Sequence, residues 1–264
     1  MKALIDGDLI LYRACHAVQS RVYVGYDKAG KPIASSSRKR ELPECDRVEF
    51  KTSIDEDGYE DACEIIDDSL KKIWEETGCD EYTIYLTGRD NFRREIYEDY
   101  KGHRPEKPIL HKALSLYMLD FIDTEMVHGE EADDALGIHQ TDDTIICSYD
   151  KDLRMIPGKH YNFNKKEFFT ITEEEGMLNF YKQLLTGDST DNIPGLKGVG
   201  PKTAEKTLDG GVHERDLYGM VLHTYLNHKD LADVSEEDVI DTITCNARLL
   251  WIRREEGEMW SPPV

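Results

Sequence analysis

Four short acidic clusters punctuate this chain, and three of them follow or touch an apolar run. Asp6 and Asp8 follow ALI. Glu130, Glu131, Asp133 and Asp134 lie in GEEADD, Asp150 and Asp152 follow TIIC in SYDKD, and Asp188 and Asp191 lie in GDSTDN. Carboxylates at strand ends converge at one edge of an open α/β sheet. Once together they repel one another unless protons or hard cations neutralise them. Mg2+ or Mn2+ on oxygen ligands suits that task, and such ions promote phosphodiester chemistry. Each cluster also has a purely structural reading. Acids are favoured in the first turn of a helix by its dipole. Asp150 and Asp152 fit an Asx turn, and Asp188 and Asp191 fit a loop and a cap. Asp6 is harder to account for, because an acid inside an apolar strand must find a partner. The order of the four clusters after successive strands favours one shared site.

Two cationic constellations accompany the acids. Gly195-Leu196-Lys197-Gly198-Val199-Gly200-Pro201-Lys202-Thr203-Ala204 places two glycines two residues apart and then proline in a first helical turn. A tight turn of this kind leads into a helix start whose N–H groups favour phosphate, and Lys197, Lys202 and Lys206 add charge. The spacing matches a helix–hairpin–helix turn, which grips a DNA backbone without reading bases. It is not a P-loop, because the G-x-x-x-x-G-K-[ST] register is missing. The other constellation is Phe92-Arg93-Arg94 followed by Tyr100-Lys101-Gly102-His103-Arg104. Cations there could neutralise charge on a reacting phosphoryl group, and an aromatic could stack on an unpaired base. A solvated helix face is the alternative.

The elements that must position these groups follow from periodicity. ALID reads as a buried strand and residues 20–55 as a hairpin-bearing excursion. Ala62, Ile65, Ile66, Leu70, Ile73 and Trp74 recur at helical spacing over 59–77. Strands are predicted at 82–86, 124–127, 144–147, 161–163 and 168–171. Helices are predicted at 109–121, from Glu130, and at 172–186, 201–208, 214–227 and 235–250. Strands alternating with helices imply a mainly parallel α/β sheet. The last residues, with Pro262 and Pro263, are expected to fray.

The formal charge of −21 is unusual for a nucleic-acid binder. Metal would mask part of it, and the local cationic tracks can still guide a phosphate backbone. Arg38-Lys39-Arg40 reads as a solvated loop, with DNA contact as the other reading. Six scattered cysteines without a C-x-x-C pair read as single thiols in a reducing compartment. No apolar run is long enough for a membrane span, and MKALIDGDLI does not read as a signal peptide.

Taken together, LIDGDLILYRA, FRREIYEDYKGHR, GEEADDALG, SYDKDL and GDSTDNIPGLKGVGPKTA resemble the 5′-nuclease superfamily, and bacteriophage 5′→3′ exonucleases most of all. The resemblance runs from Ala3 to about Thr207. It implies a PIN-like (resolvase-like) α/β core over residues 1–186 with a helical arch at about 91–115. A helix–hairpin–helix-type DNA-binding region would occupy 187–264. It implies that Asp6, Glu131, Asp133, Asp134, Asp150, Asp152, Asp188 and Asp191 ligate two or more Mg2+ or Mn2+ ions. Lys101 and Arg104 match the catalytic basic pair of the arch. Arg93, Arg94, Tyr100, Lys197, Gly198, Gly200, Lys202 and Thr203 would contact DNA, with K+ at the turn carbonyls. The implied activity is hydrolysis of DNA near 5′ ends, flaps or nicks, with RNA primers in hybrids also compatible. A monomer in the cytoplasm is implied, the host's if the chain is phage-encoded. A PIN-type ribonuclease and a non-catalytic, structure-specific DNA-binding protein are the alternatives. One departure stands out: the acid that many members carry before the FR motif falls at or near Gly88, and Asp90 is out of register. Asp8 and Glu130 lie outside the usual ligand set and suit outer-shell roles.

Overall fold

In the computed structural model, which describes residues 1–263, the apolar opening run forms β1 (Lys2–Asp6), with four of its five residues buried. It leads directly into α1 (Gly7–Val18). The excursion that follows is three strands, β2 (Gln19–Tyr26), β3 (Pro32–Ser36) and β4 (Arg47–Ile54), paired antiparallel in the order β3-β2-β4. The long amphipathic pattern forms α2 (Gly58–Thr77), after which β5 (Glu81–Asn91) extends five residues beyond the predicted strand. Next come a four-residue helix, α3 (Arg93–Ile96), and α4 (His111–Phe121). The helical content of the arch segment is therefore confined to its two ends, and Pro105 and Pro108 lie in the stretch without regular structure.

The second half alternates as its sequence predicts: β6 (Thr124–Gly129), α5 (Ala132–Ile138), β7 (Thr144–Cys147), β8 (Gly158–Asn162), β9 (Glu167–Ile171) and α6 (Glu173–Thr186). Thr172 starts α6 in a capping box. Its hydroxyl accepts from Glu175 N at 3.1 Å, while Glu175 Oε2 accepts from Thr172 N at 2.9 Å. Two-residue strands β10 (Gly187–Asp188) and β11 (Ile193–Pro194) then pair, and α7 (Pro201–Thr207), α8 (Glu214–Leu226) and α9 (Glu236–Leu250) follow.

Two compact units divide the chain differently from the expected boundary at 186/187. One holds residues 1–8, 73–106 and 123 onward; the other holds 9–72 and 107–122. The first unit contains the six-stranded sheet, in the order β6-β5-β1-β7-β8-β9, with only β8 and β9 antiparallel. β1 and β7 are buried on both faces, which parallel central strands require. A continuous core joins Leu4 and Ile146 of the sheet to Phe180, Leu184, Val221, Tyr225 and Ile243 of the later helices. Each fully buried Leu, Ile or Phe in it contributes about 1.5–3 kcal/mol. The segment after α9 is packed as far as Trp260, short of the prolines on which fraying was expected. Trp251, Ile252 and Trp260 are buried, and Trp251 packs edge-on against Phe180 at 4.9 Å. Two tryptophans bury enough apolar surface to hold a proline-flanked tail.

The second unit contains the β3-β2-β4 sheet with α4 and most of α1 and α2. Tyr12 meets His111 edge-on at 5.0 Å, and Tyr117 donates to Asp67 at 2.8 Å. Burial pushes the His111 imidazole down to about 4. Among the described residues, no helix is long and apolar enough to cross a membrane. The six cysteines are free thiols.

Candidate active site

The acidic residues gather because parallel strands share a C-terminal edge. Asp6 ends β1 opposite Tyr85 of β5, and Ile5 lies opposite Cys147 at the end of β7. The loop after β7 therefore starts beside Asp6. Ser148, buried there, donates to Asp6 Oδ2 at 2.8 Å and accepts from Asp150 N at 3.0 Å. Asp150 in turn accepts from Asp152 N at 2.9 Å, the Asx geometry that SYDKD allows. Beyond β6, Glu131 precedes α5 and Asp133 lies in its first turn.

Electrostatics sort these acids into two overlapping groups. Burial, then the charges of Asp6, Asp150 and Glu131, pushes the Asp133 carboxyl well above its ordinary range. Burial, then Asp150, Asp188 and Asp191, pushes Asp152 up to about 7. Asp150 is the common neighbour. The two groups border a cavity of about 30 Å³, lined in part by Glu131, Asp133, Asp152, Asp188 and Asp191.

Cations and neutral donors hold the edges of the cluster. Lys101 Nζ bonds Glu131 and lies 3.6 Å from Asp191 Oδ2. Arg104 bonds Asp191. Lys101 has a left-handed backbone (φ 57°), fixed by its N–H donating to Asp191 O at 3.0 Å. A non-glycine residue there is strained and must be held by its surroundings. Tyr100 is buried, with its hydroxyl 3.1 Å from Glu131 Oε2 and 3.0 Å from Asp191 Oδ2. Burial, reinforced by Glu131, pushes its phenol far up, so it remains a neutral donor. Asn91 donates to Glu131 Oε1 at 2.8 Å, and Gln183 to Asp152 Oδ1 at 3.0 Å. Ser148, Asn91 and Gln183 escaped the sequence reading. Ser148 alone carried a signal, as the residue that begins SYDKD.

Three expected positions are buried and engaged within the protein. Arg93 is 2% exposed and Asp134 fully buried. They form a bidentate pair, with Nη1 to Oδ2 at 2.6 Å and Nη2 to Oδ1 at 2.8 Å. Arg93 also donates to the Leu249 and Trp251 carbonyls, and Asp134 accepts from the Glu131 and Arg253 N–H groups. Burial pushes the Asp134 carboxyl up, but Arg93 more than reverses this and holds it below the usual range. With its oxygens so engaged, Asp134 joins α5 to the C-terminal segment, and Arg93 presents nothing to a nucleic acid. Tyr100 likewise offers no exposed ring for stacking. Arg94 does remain exposed.

The departure at Gly88 has a steric cause. A Cβ on Gly88 would lie 2.3 Å from the Val127 carbonyl oxygen. Asp90 does not take its place: it is exposed and lies 3.3 Å from His128 Nδ1. Of the extra acids, Asp8 accepts from Thr87 N, and Glu130 pairs with Arg253 at 2.8 Å.

The turn between α6 and α7 faces outward where its sequence demands. Leu196 and Ala204 are buried in the core, whereas Lys197, Gly198, Lys202 and Thr203 are exposed. Gly198 has φ 82°, a conformation that favours glycine, and Gly200 caps α7 ahead of Pro201. The Lys197 carbonyl lies 2.9 Å from His228 Nε2, so this turn oxygen is already engaged.

Among the described residues, no three His, Cys, Asp or Glu side chains stand arranged to hold a metal ion as they are. The donor chemistry nonetheless fits a hard divalent cation. All the acids are oxygen donors, two are pushed up by crowding, and the present neutralisers are the side chains of Lys101, Arg104 and Lys151. The fold and this acidic edge define an α/β protein of the PIN-like class.

No family model matches the chain. It is 33% identical over 151 residues to DNA polymerase I of Rhizobium leguminosarum, covering 48% of this chain and 14% of that one. It is 31% identical over 143 residues to a 5′-3′ exonuclease of Buchnera aphidicola subsp. Acyrthosiphon pisum, covering 46% of this chain and 49% of the relative. It is also 31% identical over 137 residues to flap endonuclease Xni of Shewanella amazonensis, covering 45% and 54%. The chain thus spans about half the length of the two nucleases and far less of the polymerase. Among solved structures, the T5 D15 protein co-crystallised with metal ions superposes with a TM-score of 0.53 at 14% identity, over 94% of this chain and 95% of that one. At that identity the likeness is one of fold.

Proposed function

We propose that the chain is a metal-dependent 5′→3′ exonuclease and structure-specific flap endonuclease that hydrolyses DNA phosphodiesters near 5′ ends. The observation that carries this reading is the pair of carboxylate groups sharing Asp150, bordered by Lys101 and Arg104. Two overlapping groups suit two cation positions, one among Asp6, Glu131, Asp133 and Asp150 and one among Asp150, Asp152, Asp188 and Asp191. Held by these carboxylates, Mg2+ or Mn2+ would supply an activated water and charge neutralisation for the leaving oxygen. The chain's own residues do the rest. Ser148 and Gln183 hold Asp6 and Asp152 in place, and the neutral Tyr100 holds Glu131 and Asp191. Lys101 and Arg104 now neutralise carboxylates; with those oxygens engaged by cations, they turn to the phosphate and offset its developing charge. Lys197, Lys202, Thr203 and the Gly198–Gly200 backbone hold the duplex through its phosphates. Arg94 adds a further contact. K+ at the turn would use carbonyls other than that of Lys197.

The natural substrates on this reading are flaps, nicks and 5′ ends of DNA, with RNA primers in hybrids tolerated. The protein acts as a monomer in the cytoplasm during phage DNA replication or recombination. The test is incubation with Mg2+ and end-labelled flap DNA, nicked DNA and RNA, followed by sizing of the products. Short 5′ products from DNA, abolished by EDTA, are expected. Cleavage of RNA alone would replace this reading with a PIN-type ribonuclease. Intact DNA that is nevertheless bound would replace it with a non-catalytic binding protein.

A further inference from the structure

The β3-β2-β4 sheet has an unusual charge balance and surface for this molecule. Between residues 19 and 54 there are eight Lys and Arg against five Asp and Glu, in a chain of formal charge −21. In this span only Gly25 and Tyr26 are buried. Strand alternation sets Arg21 and Tyr23 of β2 on one face with Phe50 and Thr52 of β4. Tyr23 and Phe50 are direct cross-strand partners with ring centroids 5.1 Å apart, and Phe50 is 54% exposed. A cross-strand aromatic pair stabilises a ribbon, but that does not require so large a ring to face solvent.

Cations stand in the two loops at the ends of β3. Lys39 and Arg40 lie exposed between β3 and β4, and Lys28 and Lys31 at the β2–β3 turn. Arg38 and Arg47 are partly neutralised, by Glu41 at 3.3 Å and Glu49 at 3.1 Å. On the opposite face, Arg47 and Lys51 cover the Tyr26 ring at 4.7 and 5.5 Å. That ring is occupied, so the aromatic surface on offer is the Tyr23–Phe50 pair.

We propose that this sheet is a binding platform for single-stranded DNA, separate from the carboxylate centre. Unpaired bases stack on Phe50 and Tyr23, while Lys39, Arg40, Lys28 and Lys31 follow the phosphates. An exposed aromatic pair on a sheet whose connecting loops carry exposed cations is the chemistry that single strands need, and base–aromatic stacking tolerates any sequence. The choice of DNA over another polyanion rests on the nuclease reading; the binding itself does not.

The experiment is fluorescence anisotropy with labelled oligothymidylate in EDTA, where no cleavage intervenes. Phe50→Ala is expected to weaken binding by roughly 5- to 150-fold, the range for loss of one stacked base, and Phe50→Tyr to restore it. Lys39→Glu/Arg40→Glu is expected to weaken binding and flatten its dependence on salt. Thermal melting of each variant checks that the fold is kept. If Phe50→Ala and the charge reversal both bind like the unaltered protein, the platform is overturned. The nuclease reading fails on a different measurement, the absence of Mg2+-dependent products from the unaltered protein.

Discussion

Asp133 and Asp134 are consecutive residues of one helix, and they end in opposite electrical states. Asp134 points to the closed side of α5, where Arg93 and two backbone N–H groups satisfy it. Asp133 points to the sheet edge, where burial and three other carboxylates push its proton affinity up. The difference teaches that an acid cluster in a sequence mixes two kinds of carboxylate. One kind is neutralised by the fold and ties elements together. The other is left crowded, and folding stores an electrostatic cost there that a cation can relieve.

The sharpest way to break this comparison is to remove one charge from each side. On the crowded side, Asp150→Asn takes away the carboxylate common to both groups. Cleavage is expected to fall by about 10³-fold, the upper range for losing one transition-state charge contact, while DNA binding and thermal stability persist. Full cleavage by this variant would remove Asp150 from the site. On the closed side, Arg93→Ala leaves Asp134 buried without its partner. About 3–5 kcal/mol of stability should be lost, measured by denaturant unfolding. The double variant Arg93→Met/Asp134→Leu should recover most of it. A fully stable Arg93→Ala would show that the pair is not what joins α5 to the C-terminal segment.

Two smaller effects refine the contrast. Ser148→Ala frees Asp6 from its hydrogen bond. Mg2+ affinity by calorimetry should drop on the order of 10-fold or more, as for other partners that orient a metal-binding side chain, with little change in melting temperature. The smallest effect is in pH. Burial and the neighbouring acids hold Asp152 at about 7, above its ordinary 3.8. The folded protein without metal therefore keeps a proton that the unfolded chain loses between about pH 4 and 7. Its contribution to stability is full below that window and is lost as pH rises through 7. Melting in EDTA should thus decline from pH 5 to 8 more steeply for the unaltered protein than for Asp152→Asn, and Mg2+ should shrink the gap. Identical slopes would remove Asp152 from the crowded group.

Much of this arrangement was legible in the residues. The strands before Asp6 and Asp150 are short apolar runs, and their parallel order brings the acids to one edge. The helices after Thr172 announce themselves through Gly-Pro punctuation and helical periodicity. Arg93 misled because its cationic neighbourhood reads as a segment offered to DNA, or as a solvated helix face. Its burial depends on Leu249 and Trp251, more than 150 residues away, and local pattern carries no information about such partners. In the C-terminal segment the packing of Trp251 and Trp260 had no local signal, because their partners lie in α6 and α8. Gln183 was invisible because one glutamine on an amphipathic helix has no pattern of its own. One core runs without a break from the sheet into α6–α9, which local patterns do not reveal.

The crowding at Gly88 bears on how such a site can change over time. With the Val127 carbonyl oxygen only 2.3 Å from where a side chain would begin, no single substitution at this position can add a carboxylate while β6 stays where it is. The backbone of a neighbouring strand must move first. A lineage, or a designer, seeking one more acid in this centre has to rebuild the β5–β6 register before the new residue becomes an advantage. The missing acid at Gly88 is thus a path closed by geometry, and selection on the carboxylate cluster would act more readily through Asp8 or Asn91, where side chains already exist.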